Sequence, residues 1–224
     1  MNSGPVIAID GPAGSGKSSV ARQVAQRTGL PFLSTGLLYR AIALAAIRDE
    51  VADADAGGIA RWLPQVSLDV LPDGSSGFSV VLNGEPVSLE ALQDESVGDA
   101  ASRLAALPVV RERLLELQRE AAARQGAVVE GRDMGTVVFP EATLKVFLTA
   151  SPAERARRRA AQLGLDPDDP DVLHDLLRRD ERDTGRDIAP LRPAADAVQI
   201  DSTAMTPDEV VERIVEMAHS RGIV

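Results

Sequence analysis

Short apolar runs alternate with helix-forming stretches along most of the chain. Val6-Ile7-Ala8-Ile9, ending at Asp10, has the pattern of a buried strand, and Lys17 to Thr28 that of a helix. Pro31-Phe32-Leu33 reads as a second short strand that runs into Ser34-Thr35-Gly36. The Ala- and Leu-rich stretch from Leu37 to Asp49 reads as helix. Ala127 to Glu130 and Leu144 to Leu148 are again short apolar runs with helical segments on either side. Strands alternating with helices predict an α/β fold, with a mainly parallel sheet covered by helices on both faces.

The rhythm changes between Val66 and Val87. Val66-Ser67-Leu68-Asp69-Val70, a turn at Pro72-Asp73-Gly74, Phe78 to Leu82, Asn83-Gly84 and Glu85-Pro86-Val87 follow one another. Period-two alternation around Asn-Gly is a hairpin signal, so a small antiparallel β lobe is expected here, inserted over residues 64–92. Leu89 to Gln125 returns to helix with a break near Pro108. Gly164 to Pro170 is rich in Asp, Pro and Gly and suits a mobile loop between two helices, within a lid at residues 155–186. The whole reads as a single domain over residues 1–224, with no internal repeat.

The glycine-rich stretch after the first strand carries chemistry. Gly11-Pro12-Ala13-Gly14-Ser15-Gly16-Lys17-Ser18 matches the phosphate-binding loop G-x-x-x-x-G-K-[ST], and strand, glycine loop and helix is the setting that loop requires. Its backbone N–H groups can turn inward around phosphate oxygens, while the helix that follows points its positive end at the same anion. Lys17 supplies a mobile charge for the β- and γ-phosphates, the Ser18 hydroxyl can bind Mg²⁺, and Ser19 completes the stretch. Nothing structural demands Lys-Ser at a helix start, so a nucleoside triphosphate is the expected ligand and the P-loop NTPase fold the expected frame.

Composition narrows the rest. Net charge is −10, and 44% of residues are hydrophobic, which fits a globular protein without a general affinity for nucleic acid or membrane surfaces. There is no Cys, so disulfides, thiolate metal sites and Cys nucleophiles are excluded. The first residues show no secretory signal, and no segment approaches the ~20 apolar residues of a membrane span. A cytoplasmic monomer is the expectation. His174 and His219 lie in no triad-like or metal-ligand pattern.

Arginines mark the other candidate contacts. Arg40 falls one turn into the helix after Ser34-Thr35-Gly36, at the carboxyl end of a strand, where doubly wound sheets bind ligands. That segment reads equally as an ordinary helix start, with Thr35 as N-cap and Arg40 on the surface. Glu130-Gly131-Arg132-Asp133-Met134-Gly135-Thr136 follows another strand; Arg132 can pair with a phosphate, and Asp133 can accept from an exocyclic amine or a hydroxyl. Arg155, Arg157, Arg158 and Arg159, then Arg178, Arg179, Arg182 and Arg186, flank the lid loop. Such runs commonly make a solvated helix face, but arginines closing over a transferring phosphoryl group would sit here.

Together these segments resemble the bacterial cytidylate kinases, within the nucleoside monophosphate kinase family, over essentially the whole chain. The most specific likeness lies in Gly131 to Pro140 and in Ala189-Pro190-Leu191 with Ala194-Ala195-Asp196-Ala197. The resemblance implies transfer of a phosphoryl group from ATP, with Mg²⁺, to CMP or dCMP. It implies that Thr35 is the hydroxyl residue of the family's Asp-[Ser/Thr]-Gly turn, that Arg40 is its phosphate-binding arginine, and that Ser102 and Arg111 read the cytosine edge. Arg132 would hold phosphate and Asp133 the cytosine amino group. Arg179 and Asp183 would hold the pentose, Arg186 would lie near the transferred group, and Arg157 to Arg159 would be lid arginines. The catalytic set would thus include Lys17, Arg132, Arg157, Arg158 and Arg186. Ser34 departs from the pattern, since the family usually has Asp there. Other acceptors, such as AMP, UMP or shikimate, are the nearest alternatives; a GTP-dependent switch would carry an Asn-Lys-x-Asp motif, which this sequence lacks.

Overall fold

The computed structural model describes residues 4–73, 77–123 and 125–223; Gly74 of the expected turn lies outside the described residues. Five parallel strands form the main sheet in the order β2 (Phe32–Ser34), β6 (Ala127–Gly131), β1 (Val6–Asp10), β7 (Leu144–Thr149) and β8 (Val198–Asp201). Both faces are covered, which is why the central strands are apolar at nearly every position rather than alternating. Ile7 and Ile9 pack with Val20 and Val24 of α1 (Lys17–Thr28) and with Val211 and Ile214 of α9 (Pro207–Ser220). Ala8, between them, faces the other way with Val129 and Ala122 of α6 (Pro108–Ala123).

From β1 the chain passes over β6 to β2, whereas β7 and β8 add on the opposite side of β1. That reversal opens a crevice at the carboxyl ends of β1 and β6, where Asp10 pairs with Gly131 and Ser34 with Glu130.

A second core lies beside the sheet. It joins α2 (Thr35–Arg48), α3 (Ala56–Trp62), α4 (Leu89–Gln93), α5 (Glu95–Leu104) and a three-stranded antiparallel sheet of β3 (Leu68–Pro72), β4 (Phe78–Leu82) and β5 (Glu85–Pro86). The expected hairpin forms at Asn83 and Gly84, both with positive φ, as a two-residue turn between β4 and β5 demands.

Helices α7 (Pro152–Leu163) and α8 (Pro170–Thr184), where a lid is expected, are mostly polar, and among the described residues they share a small apolar cluster of Ala156, Ala160 and Val172, with Leu173 packed against it. Ser151 caps α7 and Asp169 caps α8; Gly164, at φ 69°, ends α7 in the left-handed region. Among the described residues no helix is long and apolar enough to cross a membrane.

Candidate active site

The loop between β1 and α1 depends on close backbone approach. A Cβ at Gly11 would sit 2.0 Å from the Leu148 carbonyl oxygen, so only glycine lets the chain leave β1 so near β7. Gly16 closes the loop at φ 87° and α1 begins at the next residue, with no side-chain cap and no acidic residue in its first turn. The N–H groups at the start of α1 and its positive dipole end therefore face the crevice unopposed. Lys17 is buried, 5% exposed, and its Nζ donates to the Pro12 carbonyl at 2.7 Å and to Ser15 Oγ at 3.4 Å. Burial, and then the nearby Arg132, pull its ammonium down to about 7, against the opposing pull of Glu130, Asp183 and Asp10. An anion bound against Lys17 would favour the charged form and reverse that shift.

A cleft of about 980 Å³ opens in front of the loop. Arg40, Arg132, Arg159, Arg179 and Arg186 line it. Arg40 donates to the carbonyls of Leu92 at 2.7 Å and Asp94 at 3.3 Å, and Gly98 of α5 gives it room, since a Cβ there would lie 2.8 Å from its Nη2. Burial and then Arg179, Arg159 and Arg132 press Arg40 below its ordinary value; burial and Arg179 do the same to Arg159. Guanidinium groups that disfavour one another's charge converge on one space, and a phosphate there relieves the repulsion. Asp183 accepts from Arg132 Nε at 2.7 Å and also pairs with Arg186. Burial pushes its carboxyl up, but the two arginines outweigh burial and hold it below the usual carboxylate range. The buried Nε atoms of Arg179 and Arg186 have no hydrogen-bond partner among the described residues.

A different chemistry lines the far side of the cleft. Arg111 and Asp133 form an ion pair whose side chains are 8% and 3% exposed. Arg111 also donates to the Ala105 carbonyl at 3.2 Å, and its guanidinium carbon lies 5.8 Å from the centre of the Tyr39 ring. Ser102 Oγ, beside them in the lining, is buried without a partner among the described residues. A carboxylate that accepts, a guanidinium that donates and a hydroxyl able to do either suit the edge of a flat heterocycle.

Oxygen ligands gather between the two regions. Glu130 Oε1 accepts from the Ser34 hydroxyl at 2.5 Å and from the Ser18 hydroxyl at 3.1 Å. The Thr35 hydroxyl donates to the Glu130 carbonyl at 2.8 Å. Hydroxyl and carboxylate oxygens are the donor set that Mg²⁺ takes, so Ser18 and Glu130 fit such an ion.

The structure brings together in this cleft Lys17, Ser18, Ser19, Thr35, Arg40, Ser102, Arg111, Arg132, Asp133, Arg179, Asp183 and Arg186. It does not bring Arg157 and Arg158 there. The Arg157 side chain is 59% exposed and bonded to Glu154, and Arg158 reaches Glu154, Ser202 and the Ser15 carbonyl behind the loop. Helix geometry explains it, because residues four apart share a face. Arg155 and Arg159 therefore take the inner face of α7, Arg159 lining the cleft and Arg155 bracing the loop through the Ala13 carbonyl at 3.0 Å and Asp180. The Ser34–Arg40 segment also resolves. Ser34, not Thr35, is the N-cap residue of α2, and its side chain makes no cap bond because it turns to Glu130. Of the three expected lid arginines Arg159 alone lines the cleft, and Glu130 and Tyr39 are site residues to which the sequence assigns no role of their own. Nor does it assign one to Asp10, which accepts from the backbone N–H groups of Met134 at 2.8 Å and Gly135 at 2.7 Å. A charged residue ending an apolar strand was the available signal at positions 10 and 130.

The family model described as cytidylate kinase matches residues 7–220. The chain is 48% identical over 218 residues to a cytidylate kinase of Pelotomaculum thermopropionicum, covering 96% of each chain. It is 46% identical over 222 residues to a cytidylate kinase of Pseudomonas aeruginosa, covering 97% of this chain and 96% of that one. Among solved structures, an uncharacterized protein of Eubacterium ventriosum superposes with TM-score 0.52 at 16% identity, covering 96% of this chain and 98% of that one, a likeness of fold alone.

Proposed function

Because the chain belongs to the cytidylate kinase family, we propose that its cleft holds two nucleotides with their phosphates facing, ATP on the glycine loop and CMP or dCMP against Arg111 and Asp133. The enzyme phosphorylates CMP and dCMP to the diphosphates at the expense of ATP. One observation carries the arrangement: a cationic cluster and the buried Arg111–Asp133 pair open into the same cleft as Lys17.

An oxygen of the acceptor phosphate attacks the γ-phosphorus in line, a P–O bond forms, and the bond to the β-phosphate oxygen breaks to release ADP. The acceptor oxygen is already ionised near neutral pH, so no strong general base is needed. Catalysis then rests on positioning and on charge neutralisation. Lys17 and the N–H groups of the loop hold the donor phosphates, and Arg132, Arg159 and Arg186 neutralise the transferring group. Arg40 with the Thr35 turn holds the acceptor phosphate, and Arg179 and Asp183 hold the pentose. Ser18 and Glu130 would hold Mg²⁺, which supplies further positive charge on the donor phosphates. Asp133, Arg111 and Ser102 read the cytosine edge; a uracil carbonyl in place of the amine would leave the carboxylate facing an acceptor. We propose that the enzyme acts as a monomer on small nucleotides in the cytoplasm.

The test is a steady-state assay of ADP release with CMP, dCMP, UMP and AMP as acceptors. CMP and dCMP should be turned over, with UMP and AMP at least about 10²-fold poorer in kcat/KM. Equal use of AMP or UMP would overturn the assignment of the base site.

A further inference from the structure

Asp10 is the last residue of β1, directly before the glycine loop, and it is buried at 4% exposure. Each of its carboxylate oxygens accepts a backbone N–H from the segment that follows β6, Oδ1 from Met134 at 2.8 Å and Oδ2 from Gly135 at 2.7 Å. Those two residues open the π-helical turn Met134–Val138 immediately after Arg132 and Asp133. The first N–H groups of a helical turn have no partner within it, and a carboxylate aimed at two of them fixes where the turn begins. The backbone on the other side of Arg132 and Asp133 is fixed as well, since Gly131 is in register with Asp10 in the sheet. The dipeptide is therefore pinned at both ends to one residue of β1. The same residue leads into Gly11, whose own path is set by the Leu148 carbonyl.

We infer that Asp10 is a positioning residue for acceptor recognition, the clamp that sets Arg132 and Asp133 relative to the glycine loop. The inference rests on the reading of Asp133 as the group that recognises the base. Asp10 touches neither nucleotide in that reading; it acts through the loop it holds. Removing one of its two acceptor oxygens should let the turn shift, which loosens the Asp133 contact more than it loosens ATP. The charged groups around the clamp are Lys17 of α1, Asp133 of the loop and Lys145 of β7, the last lying across Gly135 and paired with Asp196. Burial raises the Asp10 carboxyl to about 6, against the opposing pull of the two N–H groups. The clamp should thus weaken on protonation just below neutral pH.

Asp10→Asn keeps the shape but offers one acceptor oxygen and one N–H₂ group to two N–H donors. The readouts are ATP affinity by calorimetry and the ratio of kcat/KM for CMP to that for UMP, from pH 5.5 to 8. In this ratio the ionisation shared by both substrate phosphates cancels. The expected result is a ratio reduced about tenfold or more in the variant, through a raised KM for CMP, with ATP affinity within about threefold of the parent. In the parent enzyme the ratio should fall as pH drops through about 6, and in Asp10→Asn it should be flat. An unchanged ratio in a folded variant, with losses confined to thermal stability, would overturn the clamp. If the variant does not fold, a parent ratio that is independent of pH overturns it instead. Asp133→Ala run alongside separates the two readings: if that variant keeps the parent ratio, the base-reading assignment is what has failed.

Discussion

The Ser34 hydroxyl donates to Glu130 Oε1 at 2.5 Å, and the same oxygen accepts from the Ser18 hydroxyl at 3.1 Å. The negative charge beside Ser18 therefore comes from β6. The longer Glu130 side chain reaches the glycine loop, and the short Ser34 makes space and donates to it.

Glu130→Gln should therefore lower kcat by about 10²- to 10³-fold and raise the Mg²⁺ concentration for half-maximal rate. Ser34→Asp alone would set two carboxylates in contact and should also impair the enzyme, since neighbouring like charges resist ionisation together. Combining the two changes returns one carboxylate to the site. The double variant should recover part of the rate lost by Glu130→Gln, as read from Mg²⁺ titrations of kcat. No recovery would show that the carboxylate cannot be supplied from position 34.

Lys17 is held near 7 by burial and then by Arg132, far below the ordinary lysine value of about 10.4. Between those values the unfolded chain binds a proton that the folded chain does not, so stability should rise with pH across this window. Lys17→Met removes the contribution. The Tm of the parent minus that of the variant should climb between pH 7 and pH 9.5 in nucleotide-free protein. Near pH 7 the variant should melt higher, while its rate falls by about 10²- to 10³-fold or more. A difference in Tm that does not vary with pH would contradict the shift assigned to Lys17.

Asp133 and Arg111 are both buried, so breaking the pair has two costs. Asp133→Ala should lower CMP phosphorylation by about 10²-fold and largely erase the preference for CMP over UMP. It should also destabilise the fold by about 3–5 kcal/mol, because Arg111 is left buried and unpaired. Urea unfolding and paired kinetics with both acceptors read the two effects separately.

The pair α7 and α8 has little apolar packing of its own, with Ala156, Ala160 and Val172 at its centre. It is joined to α5 through the Asp99–Arg182 contact at 3.3 Å. Segments with so few buried contacts open most readily. Hydrogen–deuterium exchange should show the 164–170 loop and the β lobe gaining protection when both nucleotides are bound. No gain in either segment would rule out closure at these two places.

Much of this site was legible in the sequence because glycine, lysine and hydroxyl spacing fixes a phosphate loop locally. The Asn83-Gly84 turn announced the β lobe for the same reason: it needs only two neighbouring residues with positive φ. What remained hidden was long-range. Glu130 meets Ser18 and Ser34, and Asp10 meets Met134, only because strand order places β1, β2 and β6 side by side. The run Arg155 to Arg159 shows the other limit. Composition marks it as cationic, but the turn of α7 decides that Arg159 lines the cleft while Arg157 faces solvent. The strand β8 and the helix α9 have no chemistry to flag them, and β8 is short and half polar.

The central claim is that one cleft holds donor and acceptor nucleotides together with their phosphates in line. Calorimetry with cytidine and adenosine joined through five phosphates measures this directly, since a single molecule must then span both halves. The expected result is one site per chain, an affinity at least about 10²-fold above that of ATP, and complete loss of CMP binding once the site is filled. Affinity no better than that of ATP, with CMP still binding to the filled enzyme, would contradict the two-nucleotide cleft.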